Sequence, residues 1–398
     1  MPTVARPFAA IPSEAAGVLR PVLPALADEM IAAIAVEVPD YARAMEGEFG
    51  QVVRLGVERA LGRFVDLIEA PGGDERRGRQ TYVALGRGEM RAGRGLDALL
   101  AAYRVGARLA WRRFVEAGVA GGLAPADLYA LGEAMFAYID ELSAESAEGY
   151  AEEQSAAAGE RQRLRQRLVR LVAQEPAPEE EAVRAAAAAA GWTLPPLLAA
   201  LVTSGAADDD EAQLDALAAR LARRMGEGAI GAGVGRLACV LVPDPDAPGR
   251  RRRLKAASQG RAVALGPSVG LPRAGTSVRR AAATHALLAA GRLGDARFAA
   301  AEDHMPALVL SADPLLAAEL AERLLTPLVA LADGPRARLT ETLRAWLDRP
   351  GQVQAVAGEL GVHPQTVRYR LRQLRELFGE RLEDPEGRFE LALALRVA

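Results

Sequence analysis

The sequence predicts an all-α N-terminal bundle, an α/β middle layer and an all-α helix-turn-helix at the C-terminal end. Three observations carry this reading. Apolar residues recur at helical spacing through residues 14–160, short apolar runs alternate with helical segments over 185–310, and two short helices joined by a glycine turn close the chain. With 398 residues, half of them apolar and a quarter charged, several cores can form, which excludes a disordered or fibrous class. The expected boundaries are 1–160 for the bundle, 161–184 for a connecting helix and linker, 185–310 for the α/β layer, 311–334 for a linker helix and 335–398 for the helix-turn-helix.

In the bundle, the run from Asp97 sets Leu99, Leu100, Tyr103, Ala107, Leu109, Ala110 and Phe114 on one stripe, with Arg104, Arg108 and Arg112 opposite. Breaks are expected at Pro71-Gly72-Gly73 and from Gly121-Gly122 to Pro125, the last placed as a first-turn proline. Trp111, Tyr103 and Phe136 read as core aromatics. From Ile139 to Val172 there is no proline, and acids (Glu141, Glu145, Glu148, Glu152, Glu153) give way to arginines (Arg161, Arg163, Arg165, Arg167, Arg170). The heptad through Leu164, Leu168 and Leu171 fits either pairing with a second chain or packing on its own domain.

The middle region reads as a strand near Pro196–Val202, a helix over Glu211–Met225, a strand over Leu237–Val242, and then strand, helix and strand over Ala262–Val269, Ser277–Ala290 and Arg297–Ala301. Asp208, Asp209 and Asp210 suit an N-cap before Glu211 or a metal site, and Arg250–Arg253 suits a solvated helix start or an anion site. Leu315–Leu331 reads as a helix, ended at Asp333-Gly334-Pro335.

In the last segment Leu339, Leu343, Trp346 and Leu347 share a helical face, stopped by Pro350-Gly351. Val353, Val356, Ala357 and Leu360 make a short helix, Gly361-Val362-His363 the turn, and Pro364 opens a recognition helix, 364–377, with Val367, Leu371 and Leu374 inward. Its outward residues are Gln365, Thr366, Arg368, Tyr369, Arg372, Gln373 and Arg375. Together with Arg370 they place four arginines and no acid between His363 and Arg375. That local charge suits a duplex: Thr366 and the helix N-terminus can bond phosphate, while Gln365, Arg368 and Arg372 can reach base edges. The DNA-binding set expected is Gln365, Thr366, Arg368, Tyr369, Arg370, Arg372 and Arg375.

The remaining composition narrows function. The 49 basic and 52 acidic residues leave a net charge of −3, excluding a uniformly basic coat. One cysteine, Cys239, and three histidines supply neither a disulfide nor a zinc cage, so no metal or cofactor is expected and a reducing cytoplasm fits. No leader is recognised, and the Ala185–Ala190 stretch is too short to span a membrane. His285 and His304 stand apart as structural or exposed residues. Of the basic residues, 48 are arginine and one is Lys255; asparagine is missing altogether, so a P-loop lysine, an N-glycosylation site and asparagine base contacts are all excluded. No Ser-His-Asp or Cys-His pairing is recognised, and no enzyme is expected.

The segment Leu339–Ala398, with TLRAWL at 342–347, VHPQTVRYRLRQL at 362–374 and Asp384-Pro385 before Leu391–Leu395, resembles the C-terminal domain of PucR/CdaR-type bacterial transcriptional regulators. Where that family commonly has asparagine or a similar polar residue before the Thr, this chain has Pro364-Gln365. The middle region, with GWTLPPLLAALV at 191–202 and GRLACVLVP at 235–243, resembles the GGDEF-like domain of the same regulators, which implies a ferredoxin-like sheet. A cyclase needs carboxylates in its hairpin, and here that hairpin reads Gly233-Val234-Gly235-Arg236. The segment LGRGEMRAGRGLDALLAAYRVGARLAWRRF at 85–114 is similar to RsbR-type sensory domains.

The resemblance implies a cytoplasmic regulator that binds a double-stranded DNA operator as a homodimer or higher oligomer. It also implies control by a small-molecule effector or a protein partner. The alternatives are a nucleotide-binding or cyclase-like signalling enzyme and a stressosome-like scaffold.

Overall fold

Stretches with apolar residues every three or four positions and no internal proline become the long helices of the N-terminal half. The computed structural model describes residues 5–42, 48–71, 75–257 and 260–397, and these divide into two units, Met1–Arg161 and Gln162–Ala398. The first is all helix among the described residues. Its principal helices are Leu23–Glu37, Glu48–Glu69, Glu75–Arg91, Leu96–Ala120 and the first part of Pro125–Val172. The expected proline start at Pro125 is observed, as is the break before it, where Gly122 takes a φ of 80°. Gly72 and Gly73 lie outside the described residues.

An aromatic centre holds this unit together. Phe64 stacks on Phe114 (5.6 Å, 14°) and meets Phe8 edge-on at 5.4 Å, with Leu19, Leu26, Ile68, Leu131 and Leu142 around them. Each such buried side chain contributes about 1.5–3 kcal/mol. Two glycines allow Glu75–Arg91 to touch the long helix backbone to backbone. A Cβ at Gly86 would lie 1.9 Å from the Ser146 carbonyl oxygen, and one at Gly149 would lie 2.0 Å from that of Val83.

The placement expected for two aromatics is corrected. Phe136 is 74% exposed and Trp111 38% exposed. The buried stripe of Pro125–Val172 runs through Leu131, Ala134, Met135 and Tyr138, so Phe136 points the other way, while the Trp111 ring comes so near Gly132 that a Cβ there would stand 3.1 Å from it.

In the second unit, five strands, β1 (Leu198–Ser204), β2 (Ile230–Val234), β3 (Leu237–Pro243), β4 (Val263–Leu265) and β5 (Phe298–Ala300), form one sheet in the order β2-β3-β1-β4-β5. All pairs are antiparallel except β4–β5. The short apolar runs are buried on both faces, which is why they lack polar alternation. Leu198, Ala200 and Val202 of β1 pack with Val183, Ala187, Val278 and Ala281 on one side; Ala199 and Leu201 meet Leu217, Leu221 and Met225 on the other.

The apolar end of Pro125–Val172 belongs to this sheet. Leu168, Val169 and Val172 are buried in its core with Leu164 and Leu171 against it. Arg170 fixes the helix by bonding both Asp215 oxygens at 2.7 Å, Glu211 at 2.8 Å and the Gly233 carbonyl at 3.2 Å. Leu164–Leu171 thus packs on its own sheet. Asp210 makes a full capping box with Gln213 and so closes the helix start, while Asp209 accepts from the Ala206 N–H at 2.8 Å in the loop before it. Arg250 begins the helix Arg250–Ala257, and Arg251 pairs with Asp303. His285 is a satisfied core residue. Its Nε2 accepts from the Ser204 N–H at 3.2 Å, and burial lowers its pKa.

The chain ends in five helices, Pro314–Val329, Asp333–Asp348, Val353–Glu359, Pro364–Phe378 and Pro385–Val397. Pro314–Val329, expected as a linker helix, places Ala321, Leu324, Leu325 and Leu328 in one core with Leu343, Val367, Leu374 and Leu391. Asp333-Gly334-Pro335, expected as a break, forms the first turn of its helix, where a proline needs no N–H partner.

Candidate nucleic-acid interface

The helix-turn-helix is built from Val353–Glu359, a turn and Pro364–Phe378, one residue longer than expected. Gly361 takes a φ of 63°, which only glycine adopts without strain, and this reverses the chain. Ala357 and Val356 are buried between the helices, and Val367, Leu371, Leu374 and Phe378 form the inner face of the second. Spacing of three and four residues then turns Gln365, Arg368, Tyr369, Arg372 and Arg375 outward, and all five are exposed.

The arginines of this helix differ. Arg368 and Arg372, one turn apart, make no side-chain hydrogen bond or ion pair among the described residues. Arg375 donates to Glu383 at 2.7 Å, so its charge is largely matched. Arg370 is half-buried and points back into the domain, where its Nη1 donates to the Thr342 hydroxyl at 3.2 Å. Tyr369 is exposed, 3.5 Å from the Gln373 amide. Thr366 is half-buried at the first turn.

His363 plays a part that spacing alone did not show. Its Nδ1 accepts from the Gln365 N–H at 3.2 Å, and its carbonyl accepts from the Thr366 N–H at 2.9 Å. The first free N–H groups of the helix are therefore occupied within the chain. A side-chain acceptor immediately before Pro364 was the available signal. Arg381, just past the helix, is exposed with no side-chain partner among the described residues and was not among those expected.

Elsewhere, no group of three His, Cys, Asp or Glu residues that could hold a metal occurs among the described residues, and none of their helices is long and apolar enough to cross a membrane. The β2–β3 hairpin turns at Gly235 and Arg236, and Arg236 donates to the Ala207 carbonyl at 2.9 Å.

The PucR-like N-terminal domain matches residues 8–173, and the PucR C-terminal helix-turn-helix domain matches residues 339–397. Neither match reaches 174–338, so the GGDEF-like assignment gains no support from them. An uncharacterized protein of Mycobacterium tuberculosis is 33% identical over 136 residues, 34% of this chain and 32% of that one. An uncharacterized protein of Thermomonospora curvata is 40% identical over 75 residues, 19% of this chain and 41% of that one. The purine catabolism regulatory protein of Bacillus subtilis is 44% identical over 59 residues, 15% of this chain and 11% of that one. The matched part thus spans about a third of the mycobacterial relative. A regulator of polyketide synthase expression from Bifidobacterium adolescentis aligns with a TM-score of 0.30 at 21% identity, over 61% of this chain and 92% of that one, too loosely to bear on the fold. With one domain of the family at each end, the chain belongs to the PucR family.

Proposed function

We propose that the chain binds operator DNA sequence-specifically by laying Pro364–Phe378 in the major groove. The observation that carries this is the unpaired Arg368–Arg372 turn on the exposed face of the second helix. Arginine in that position reads guanine bidentately, glutamine at Gln365 reads adenine, and Thr366, Tyr369 and Arg381 supply phosphate or groove contacts. Arg375 contributes by exchanging Glu383 for phosphate. Arg370 acts through Thr342, orienting the helix without touching DNA.

A single helix-turn-helix reads one half-site, so the active form is a homodimer reading two half-sites about 10 base pairs apart, or a multiple of that. With Leu164–Leu171 held in the sheet, the surface favoured for pairing is the bundle, where Tyr129 and Phe136 lie exposed two turns apart on one helix. An effector acting on the N-terminal or middle region completes the reading.

The test is to select genomic fragments with the full chain, footprint the tightest one and measure affinity against salt. Protection of paired half-sites with a steep salt dependence supports the proposal; equal binding to every duplex of the same length refutes it. The enzyme alternative is addressed by incubation with GTP and Mg²⁺ followed by chromatography. The hairpin at Gly235 and Arg236 has no carboxylate to bind metal, so no cyclic dinucleotide is expected.

A further inference from the structure

A cavity of about 110 Å³ lies inside the N-terminal bundle. Native interiors contain few voids larger than a water molecule, and an apolar cavity of ~150 Å³ admits benzene. Most of its wall is apolar, with Ile34, Leu61, Phe64, Leu99, Phe114 and Leu142 among the lining residues. Against that wall stand four of the seven tyrosines of the chain, Tyr41, Tyr82, Tyr103 and Tyr138, together with Glu89. Phenylalanine would fill the same space without a hydroxyl to satisfy, so the polar atoms need an explanation.

Their hydrogen bonds give the wall a direction. The Tyr138 hydroxyl donates to the Ala60 carbonyl at 2.9 Å and therefore accepts from Tyr82 at 3.0 Å. Both protons of that pair are used, and what it has left is lone pairs. Glu89, 2% exposed, accepts from Arg94 at 2.6 and 3.1 Å. A carboxylate offers acceptors only, and Arg94 already balances its charge. Tyr103 is paired with Ser146 at 2.8 Å. The cavity is thus an apolar space, about 110 Å³ beside the ~150 Å³ that admits benzene, and the fixed polar atoms of Tyr82, Tyr138 and Glu89 offer it acceptors.

We propose that this cavity is a binding site for a small, uncharged, single-ring ligand carrying one hydrogen-bond donor, an O–H or N–H. A second charge is disfavoured, because the walls would strip its hydration and Glu89–Arg94 is already balanced. This site goes beyond the DNA-binding reading and does not depend on it.

The test uses the full chain with phenol, toluene and benzoate as probes, followed by titration calorimetry and thermal melting. Phenol should bind and raise the melting temperature of the bundle, toluene should bind ~10-fold more weakly for want of the donor, and benzoate should not bind. Ala102→Leu, which fills the cavity from a lining position, should abolish phenol binding while keeping a melting transition at least as high as the parent's. Tyr82→Phe should narrow the preference for phenol over toluene. The proposal is overturned if phenol does not bind, if benzoate binds equally well, if toluene matches phenol, or if Ala102→Leu retains full phenol affinity.

Discussion

In the N-terminal bundle, Arg20 reaches Asp66 and Glu69 at 2.9 and 2.6 Å, Arg79 reaches Glu148 at 2.7 Å, Arg87 reaches Glu152 at 2.7 Å, and Arg113 reaches both Glu29 and Glu116. On the recognition helix, Arg368 and Arg372 meet no acid among the described residues. Both sets are exposed, and both come from an arginine-rich chain. Paired arginines on the surface add little stability, yet each has its field cancelled by its carboxylate partner. Unpaired ones keep a full charge and five donors free for phosphate or guanine. In this chain the number of arginines says little, and what surrounds each of them says where nucleic acid can dock.

The strongest way to break that contrast is to ask whether the reader folds on its own core. Leu343 is fully buried in the C-terminal core, so Leu343→Ala should cost about 2–5 kcal/mol and abolish DNA binding. Hydrogen exchange should show the loss in residues 314–397 and not in the bundle; equal loss in both would mean that the two regions are not separable.

Next come the charges themselves. Arg368→Ala and Arg372→Ala should each weaken operator binding by about 1–3 kcal/mol, measured by fluorescence anisotropy at fixed salt. Arg113→Ala in the bundle should leave binding unchanged, because Glu29 and Glu116 already hold that guanidinium. If Arg113→Ala matches Arg368→Ala, pairing does not distinguish the two regions.

How far the sequence showed this depends on how local the determinant is. The turn, its proline and the inward stripe Val367-Leu371-Leu374 follow from spacing within one helix, and the helix appeared within one residue of its expected end. The retraction of Arg370 onto Thr342 was hidden, because the two lie 28 residues apart. Leu164–Leu171 showed an apolar stripe but not its partner, since a stripe looks the same facing its own sheet or a second chain. Strand β2 is only five residues long, and the small Gly231-Ala232-Gly233 between Ile230 and Val234 leaves too few branched or aromatic side chains to mark a strand. The bundle cavity was invisible for a similar reason: Tyr41, Tyr82, Tyr103 and Tyr138 come from four different helices.

A smaller effect is expected at the turn. Gly361 has open space where a Cβ would stand, so Gly361→Val acts through its φ of 63° alone and should cost about 1–2 kcal/mol. DNA binding should fall while the bundle melts as before. Operator affinity equal to the parent's would show that the turn tolerates a β-branched residue and that the reader is less rigid than the contrast requires.

The smallest effect concerns the bundle alone and comes from an acid without a full partner. Glu145 is buried, its Oε2 meets no hydrogen-bond donor, and burial first and the neighbouring Glu141 second push its pKa from an ordinary 4.5 up to about 7. Arg63 and Arg79 pull the other way and Glu148 adds to the rise, but neither arginine donates to this carboxyl among the described residues. Between pH 4.5 and 7 the folded bundle therefore holds a proton that the unfolded chain has released. Stability from this group is complete below pH 4.5 and falls as pH rises toward 7. Glu145→Gln keeps the shape and cannot ionise, so its melting temperature should match the parent's at pH 4.5 and exceed it increasingly up to pH 8. The subtraction removes Glu29 and Glu153, whose arginine partners lower their pKa values and which lose stability in the opposite direction, as pH falls. A difference between variant and parent that stays constant from pH 4.5 to 8 would show that Glu145 is ionised throughout, and that every acid in this bundle is as well matched as those on Arg20 and Arg113.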